Sequence, residues 1–172
     1  KKISPGGHWM NIACIAAAQQ KLDFRRSIQL LSLEALTLYD AFISCWKAKY
    51  TYERVRPETV INKYIDVAWQ PLLQTPPFPE YTSGHSVISS ASAEVLTYLL
   101  GEGFAYTDDT EVLFDLKPRR FESFRQAAGE ASISRLYGGI HFRDGIEQGQ
   151  EQGRRIGRFV VEKLMKAGVI PY

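Results

Sequence analysis

Tyr81-Thr82-Ser83-Gly84-His85 leads straight into Ser86-Val87-Ile88 and a run in which Ala91, Val95, Leu96 and Leu99 recur at helical spacing. A Ser at a helix start caps free backbone N–H groups. A Gly beside it lets an anion come close to the backbone, and the helix N-terminus carries a partial positive charge. His85 hangs a titratable imidazole over that position. Read alone, these residues are an ordinary Ser-capped helix start with an incidental Gly-His.

Working outward changes the reading. Upstream lies Lys49, then six residues, then Arg56-Pro57; downstream lies Ser134-Arg135, then five residues, then His141. Lys and Arg are the side chains that clamp tetrahedral oxyanions, Arg through a planar fork and Lys as a point charge. Three such cations, two imidazoles and a helix N-terminus suit a multiply charged oxyanion such as phosphate or vanadate. Lys49 also falls near the C-terminal end of a helix, where a cation is favoured for its own sake.

Lys-x6-Arg-Pro, Ser-Gly-His and Ser-Arg-x5-His, in that order, resemble the three-part signature of type 2 phosphatidic acid phosphatases, bacterial acid phosphatases and vanadium-dependent haloperoxidases. The match runs from Lys49 to about Gly149, and three split motifs in register are far more specific than any one of them. The resemblance implies that His141 is the apical group, either nucleophile in a phosphatase or direct ligand to the vanadium of vanadate in a haloperoxidase. Lys49, Arg56 and Arg135 would neutralise the equatorial oxygens, and Ser83 and the Gly84 N–H would add hydrogen bonds. His85 would be general acid or base. Ser134 belongs to the motif without an assigned contact. Two positions depart from the pattern. Thr82 stands where the family often has Pro, with little consequence expected. Gly145 stands where the phosphatases carry Asp four residues after the second His, while Asp144 is three residues after it. Either Asp144 orients the His141 ring, since i+3 and i+4 share a helix face, or it is a first-turn acid that stabilises a helix start.

The 172 residues suffice for one domain with a sizeable core, and 45% hydrophobic against 23% charged residues is ordinary for a globular protein. A net charge of +2 gives no polyanion-binding surface, so nucleic acid is not expected as a partner. No unbroken run of about 18 apolar residues is present, which argues against an integral lipid phosphatase. No signal-peptide pattern and no initiator Met open the chain at Lys1, which fits a processed or trimmed chain. Cys14 and Cys45 cannot make a disulfide framework, and both are expected to be buried free thiols.

Helical periodicity predicts an all-α fold, a helical bundle over residues 1–172 with the oxyanion site at helix ends. Pro5-Gly6-Gly7 reads as a breaker, followed by a helix from His8 to Gln20 with Trp9, Ile12, Ala13, Ala16 and Ala17 inward. Asp23 caps a helix to about Tyr50 with Ile28, Leu31, Ala35, Leu38, Ala41, Phe42 and Cys45 inward. Pro57 pushes Arg56 out of helical geometry. Ile61 to Trp69 is short and amphiphilic, and Gln70 to Glu80, with four prolines, is a loop. Its Phe78 and the following Tyr81 are the candidate apolar wall of the site. Ser83 to about Leu100 is the central helix, Phe104 to Arg120 an excursion, Phe121 to about Leu136 a helix, and about Phe142 to Lys166 the last one. Gly145, Gly149, Gly153 and Gly157 form one small-residue stripe on it. His8 belongs to no motif and is read as structural.

Three functions follow as expectations. The first, favoured by the proline-rich approach to Tyr81 and the run Tyr137 to Arg143, is a vanadate-dependent haloperoxidase-type enzyme that uses peroxide to oxidise halide. The second is an acid phosphatase working through phospho-His141 on a phosphate ester, with no cofactor. The third is a non-catalytic oxyanion-binding helical domain. The resemblance further implies a periplasmic or secreted location. A homo-oligomer, or earlier helices covering the outer face of the bundle, completes these expectations.

Overall fold

The computed structural model describes residues 3–172. Among them the chain forms α1 (Pro5–Gln19), α2 (Phe24–Tyr52), α3 (Pro57–Tyr64), α4 (Gly84–Leu100), α5 (Phe124–Tyr137) and α6 (Arg143–Lys166). Helix accounts for 65% of the structure, so the all-α reading stands. A small antiparallel hairpin interrupts it: β1 (Tyr106–Asp108) pairs with β2 (Arg119–Phe121), Tyr106 opposite Phe121. The excursion expected from Phe104 to Arg120 is this hairpin with a single 3-10 turn at its tip.

Helix α4 is the axis. Every residue from Ser86 to Thr97 is buried, because α1, α2, α5 and α6 all pack against it. Its composition permits that: Ser86, Ser89, Ser90, Ala91, Ser92 and Ala93 are small enough for close approach. Ser83 caps the start by accepting from the Ser86 N–H at 3.4 Å. Gly101, at φ 102°, ends the helix with a conformation that a side chain would strain.

The glycine stripe of α6 lies on α4. A Cβ at Gly149 would stand 3.0 Å from the Ser83 carbonyl oxygen, and one at Gly157 2.7 Å from that of Ala91. The two helices therefore meet backbone to backbone, and the Ser83 N–H donates to the Gly145 carbonyl at 2.9 Å. This contact sets the start of α6, and the His141 just before it, beside the N-terminus of α4.

Several local expectations are corrected. Pro5-Gly6-Gly7 is not a breaker but the first turn of α1, with Ser4 as cap and Pro5 at the position where its missing N–H costs nothing. The Ile61–Trp69 segment is helical earlier, from Pro57 to Tyr64, for the same reason. On α2 the buried face is Leu30, Glu34, Thr37, Leu38, Ala41, Cys45 and Lys49, whereas Ile28 and Ala35 are exposed. Cys14 is exposed, and only Cys45 is buried. His8 is buried and bonded to Asp108 at 2.6 Å, tying α1 to the hairpin. By length and composition one segment, Phe24–Tyr64, passes the test for a membrane span, with a window of mean hydropathy 1.3. A bundle-core helix passes the same test, and this one carries buried Glu34 and Lys49.

Candidate active site

The motifs converge at the N-terminal end of α4. Gly84 and His85 open the helix, Arg135 reaches in from the last turn of α5, and His141 arrives from the turn before α6. A cavity of about 420 Å³ lies between them, walled by Phe42, Trp46, Phe78 and Ile140 and lined by Gly84, His85, Arg135 and His141. Phe78 is thus a wall residue as expected. Tyr81 is not; its ring packs edge-on against Tyr52.

Positive charge is concentrated here without a direct ion pair, with Glu80 and Glu111 acting only at longer range. Lys49 is 0%, Arg56 5% and Arg135 7% exposed, and among the described residues no carboxylate lies within ion-pair distance of any of them. Burial therefore lowers all three pKa values, Lys49 to about 8 and Arg56 to about 10. Buried cations without a direct ion pair are costly unless an anion completes the site. Arg135 is aimed by its neighbour: its Nε donates to Ser134 Oγ at 3.1 Å, while that hydroxyl donates to the Ala131 carbonyl at 2.7 Å. Ser134, left without a contact by the motif, orients the arginine.

Lys49 and Arg56 are placed differently from what the motif suggests. The Lys49 ammonium gives its three protons to the carbonyls of Pro79, Glu80 and Thr82, at 2.9, 3.1 and 2.7 Å. It pins the proline loop and contributes charge rather than lining the cavity. Arg56 likewise donates to the carbonyls of Phe78 (3.0 Å) and Ile140 (2.8 Å). Nη2 donates to the Pro79 carbonyl at 3.3 Å, and Nη1 also meets His141 Nε2 at 3.1 Å.

His141 is held at both nitrogens. Nδ1 donates to Glu80 Oε1 at 2.7 Å, so Nε2, facing Arg56, keeps its lone pair. Burial lowers the imidazole pKa to about 4 despite the Glu80 hydrogen bond, with the Arg56 and Lys49 charges adding to the effect. The ring is therefore neutral and its free lone pair is on Nε2. For Glu80, burial alone would raise the carboxyl, but the hydrogen bond to His141 and the pair with Arg54 outweigh it and hold it ionised.

Of the two readings of Asp144, the one as the carboxylate of His141 is corrected and the one as a first-turn acid holds. Asp144 is a first-turn acid of α6 whose oxygens bond Arg54, not His141. Glu80 takes the His141 contact instead. Sequence reasoning missed it because it lies in the proline loop, 61 residues from His141, with no spacing that joins the two. Its one signal was position: an acid directly ahead of Tyr81-Thr82-Ser83-Gly84-His85.

A second cavity, of about 480 Å³, lies beyond Arg135 and is lined by His8, Asp108, Asp109, Glu111 and Glu130 among others. Its four acids stand beside Lys117, Arg119 and Arg135, whereas no carboxylate lines the smaller cavity, which is therefore the candidate oxyanion site. Among the described residues no cluster of His, Cys, Asp and Glu suits a metal cation. Vanadate is different, an oxyanion bound by cations and one imidazole, and the lining fits it: Arg135 and a helix N-terminus on the cavity, the charges of buried Arg56 and Lys49 behind it, and a neutral His whose Nε2 meets only Arg56.

Fold and site define a helical-bundle domain with a candidate oxyanion pocket at the start of α4, beside a neutral histidine whose Nε2 lone pair faces Arg56. The chain belongs to the VCPO second helical-bundle domain family, which matches residues 29–68 and 63–168. A bacterial vanadium-dependent iodoperoxidase structure superposes with a TM-score of 0.94 at 57% identity, covering 95% of this chain and 40% of the other. A bacterial vanadium-dependent chloroperoxidase in its holo form gives 0.78 at 18% identity, covering 94% and 41%. Its apo form gives 0.74 at 15% identity, covering 96% and 46%; these last two show the fold. No curated protein sequence matches the chain. The chain spans about two fifths of the length of the iodoperoxidase.

Proposed function

We propose that this chain carries the anion site of a vanadate-dependent haloperoxidase that uses peroxide to oxidise halide, with iodide as the first halide to test. Three buried cations with no direct ion pair carry the reading, and the 57% identity to an iodoperoxidase supports the choice of halide. Bound vanadate would supply the peroxide-activating centre. Arg135 and the Gly84 N–H would bind its oxygens. Arg56 would move its Nη1 from His141 Nε2 to the anion, which frees the nitrogen that holds it. His85, on the cavity wall at the first turn of α4, would give or take the proton of the peroxide. The apolar wall of Phe42, Trp46, Phe78 and Ile140 excludes bulk water and strengthens every charge interaction inside. Export to the periplasm or beyond belongs to the same proposal.

A second reading has its own support. The Glu80–His141 pair provides the carboxylate that a phosphohistidine needs to stabilise a cationic ring, and an acid phosphatase would use the same clamp. One assay separates the two. Protein loaded with vanadate and given hydrogen peroxide should halogenate a phenol-type dye in the presence of iodide. Vanadate that blocks phosphate-ester hydrolysis instead, with no turnover of iodide, bromide or chloride, selects the phosphatase.

A further inference from the structure

We propose that Arg54 is a positioning residue for His141, acting through Glu80; the inference rests on the anion-site reading above. Arg54 follows α2, whose last residue is capped by Glu53 in the left-handed conformation at φ 46°. Its guanidinium lies 4.7 Å from the ring centre of Tyr81 and 5.3 Å from that of Phe142. Nε donates to Glu80 Oε2 at 2.6 Å, and Nη2 pairs with the same oxygen. Nη1 and Nη2 reach Asp144, and the Arg54 carbonyl accepts from the Glu80 N–H at 2.8 Å. One side chain thus joins the end of α2, the segment before Ser83-Gly84-His85, and the start of α6.

The consequence for Glu80 is geometric. Arg54 takes Oε2, while Oε1 accepts from His141 Nδ1 at 2.7 Å and from the Phe142 N–H at 3.2 Å. A carboxylate held at both oxygens cannot turn without breaking one set of bonds. An ionised carboxylate only accepts, so the His141 proton stays on Nδ1 and the lone pair stays on Nε2. Gly145 shows how fully the space is used. A Cβ there would overlap Glu80 Oε1 and stand 2.7 Å from Arg54 Nη2. No side chain at that position of α6 can supply the carboxylate while Glu80 and Arg54 are in place. The acceptor for His141 therefore comes from the loop ahead of α4, where it needs an anchor of its own, and Arg54 is that anchor. Hydrogen-bonding partners behind a ligating His fix its tautomer and orientation in this way.

The experiment reads His141 directly. With ¹⁵N-labelled imidazoles, NMR reports which ring nitrogen carries the proton in the anion-free chain, and calorimetry reports vanadate affinity. The wild type should show the Nδ1–H tautomer alone. Arg54→Met should show a mixture and lose roughly tenfold to hundredfold in affinity. Arg54→Lys, which keeps a charge but not the fork, should fall between. Arg155→Met removes the same charge from an exposed surface pair and should match the wild type. A natively folded Arg54→Met with the wild-type tautomer and affinity overturns the proposal. If that variant does not fold, Arg54→Gln is judged by the same two readouts. A wild type that binds no vanadate sinks the functional reading, and the tautomer measurement still decides the role of Arg54.

Discussion

His85 and His141 differ in what surrounds them, and the separate tasks proposed for them rest on that difference. His141 is 4% exposed, locked between Glu80 and Arg56, and neutral. His85 sits on the cavity wall at the first turn of α4. Under the proposed function His141→Ala should abolish turnover and weaken vanadate retention, because the nitrogen that would hold the anion is gone. His85→Ala should keep the anion, since Arg135, Arg56 and the helix start remain, and slow the proton-dependent step on the order of 10² to 10⁴-fold. Anion affinity and rate measured on both variants decide it, and retention by His141→Ala with loss by His85→Ala would reverse the assignment. At this scale the sequence was legible where chemistry follows spacing. Lys49, Arg56, Ser83, Gly84, His85, Arg135 and His141 all announce themselves in three motifs, and the fold gathers them. What each one touches was not legible. Lys49 reads as an anion clamp but spends its donors on carbonyls. Asp144 reads either as the His141 carboxylate or as a first-turn acid; it is the latter, and the carboxylate is Glu80, because the pairing is set by a loop folding back across 61 positions.

Helices were legible by period, and their faces less so. The α6 stripe could be seen as a stripe, but only the packed helices show that it meets α4 at the backbone. Gly153 is its tightest point: an added Cβ would overlap the Val87 carbonyl oxygen and stand 2.8 Å from Ser90 Cβ. Neither atom can move without disturbing α4. Gly153→Ala should therefore cost about 2 to 3 kcal/mol and lower Tm by roughly 5 to 10 °C, as a thermal melt followed by circular dichroism would show. Gly129, with open space around its Cβ position, should accept Ala with no loss. On α2 the misreading of Ile28 and Ala35 has a plain cause. The helix is apolar on much of its circumference: Ile28, Leu36, Tyr39 and Ile43 are all more than half or close to half exposed. The face it buries holds Glu34, Thr37 and Lys49 among its apolar residues. A period computed from hydrophobicity cannot find a face defined by what packs there.

Glu34 carries the argument to the whole molecule, because its ionisation is linked to global stability. It is 0% exposed on the side of α2 that packs on α4, and no hydrogen bond of good geometry reaches either carboxylate oxygen. Burial raises its pKa from 4.5 to about 7, opposed only in part by the Ser92 hydroxyl. The folded state therefore holds this proton more tightly than the unfolded chain does. Between the unfolded value of 4.5 and the folded value of about 7, the folded state binds more protons, so Glu34 makes stability fall as pH rises through that window. The full loss is about 3 kcal/mol at 1.36 kcal/mol per unit. His141 works in the opposite direction over nearly the same range. Its pKa drops from 6.5 to about 4 on folding, so the unfolded chain binds more protons there and stability rises with pH. The raw stability curve mixes the two, and only a difference isolates Glu34. Glu34→Gln keeps the shape and removes the titration. Urea unfolding from pH 4 to pH 8 should show the variant gaining on the wild type by about 3 kcal/mol across the window, with most of the gain above pH 5. Parallel curves for the two proteins would mean that Glu34 finds a partner in solution and ionises at its ordinary pH, and the account of a neutral acid in the bundle core would fall.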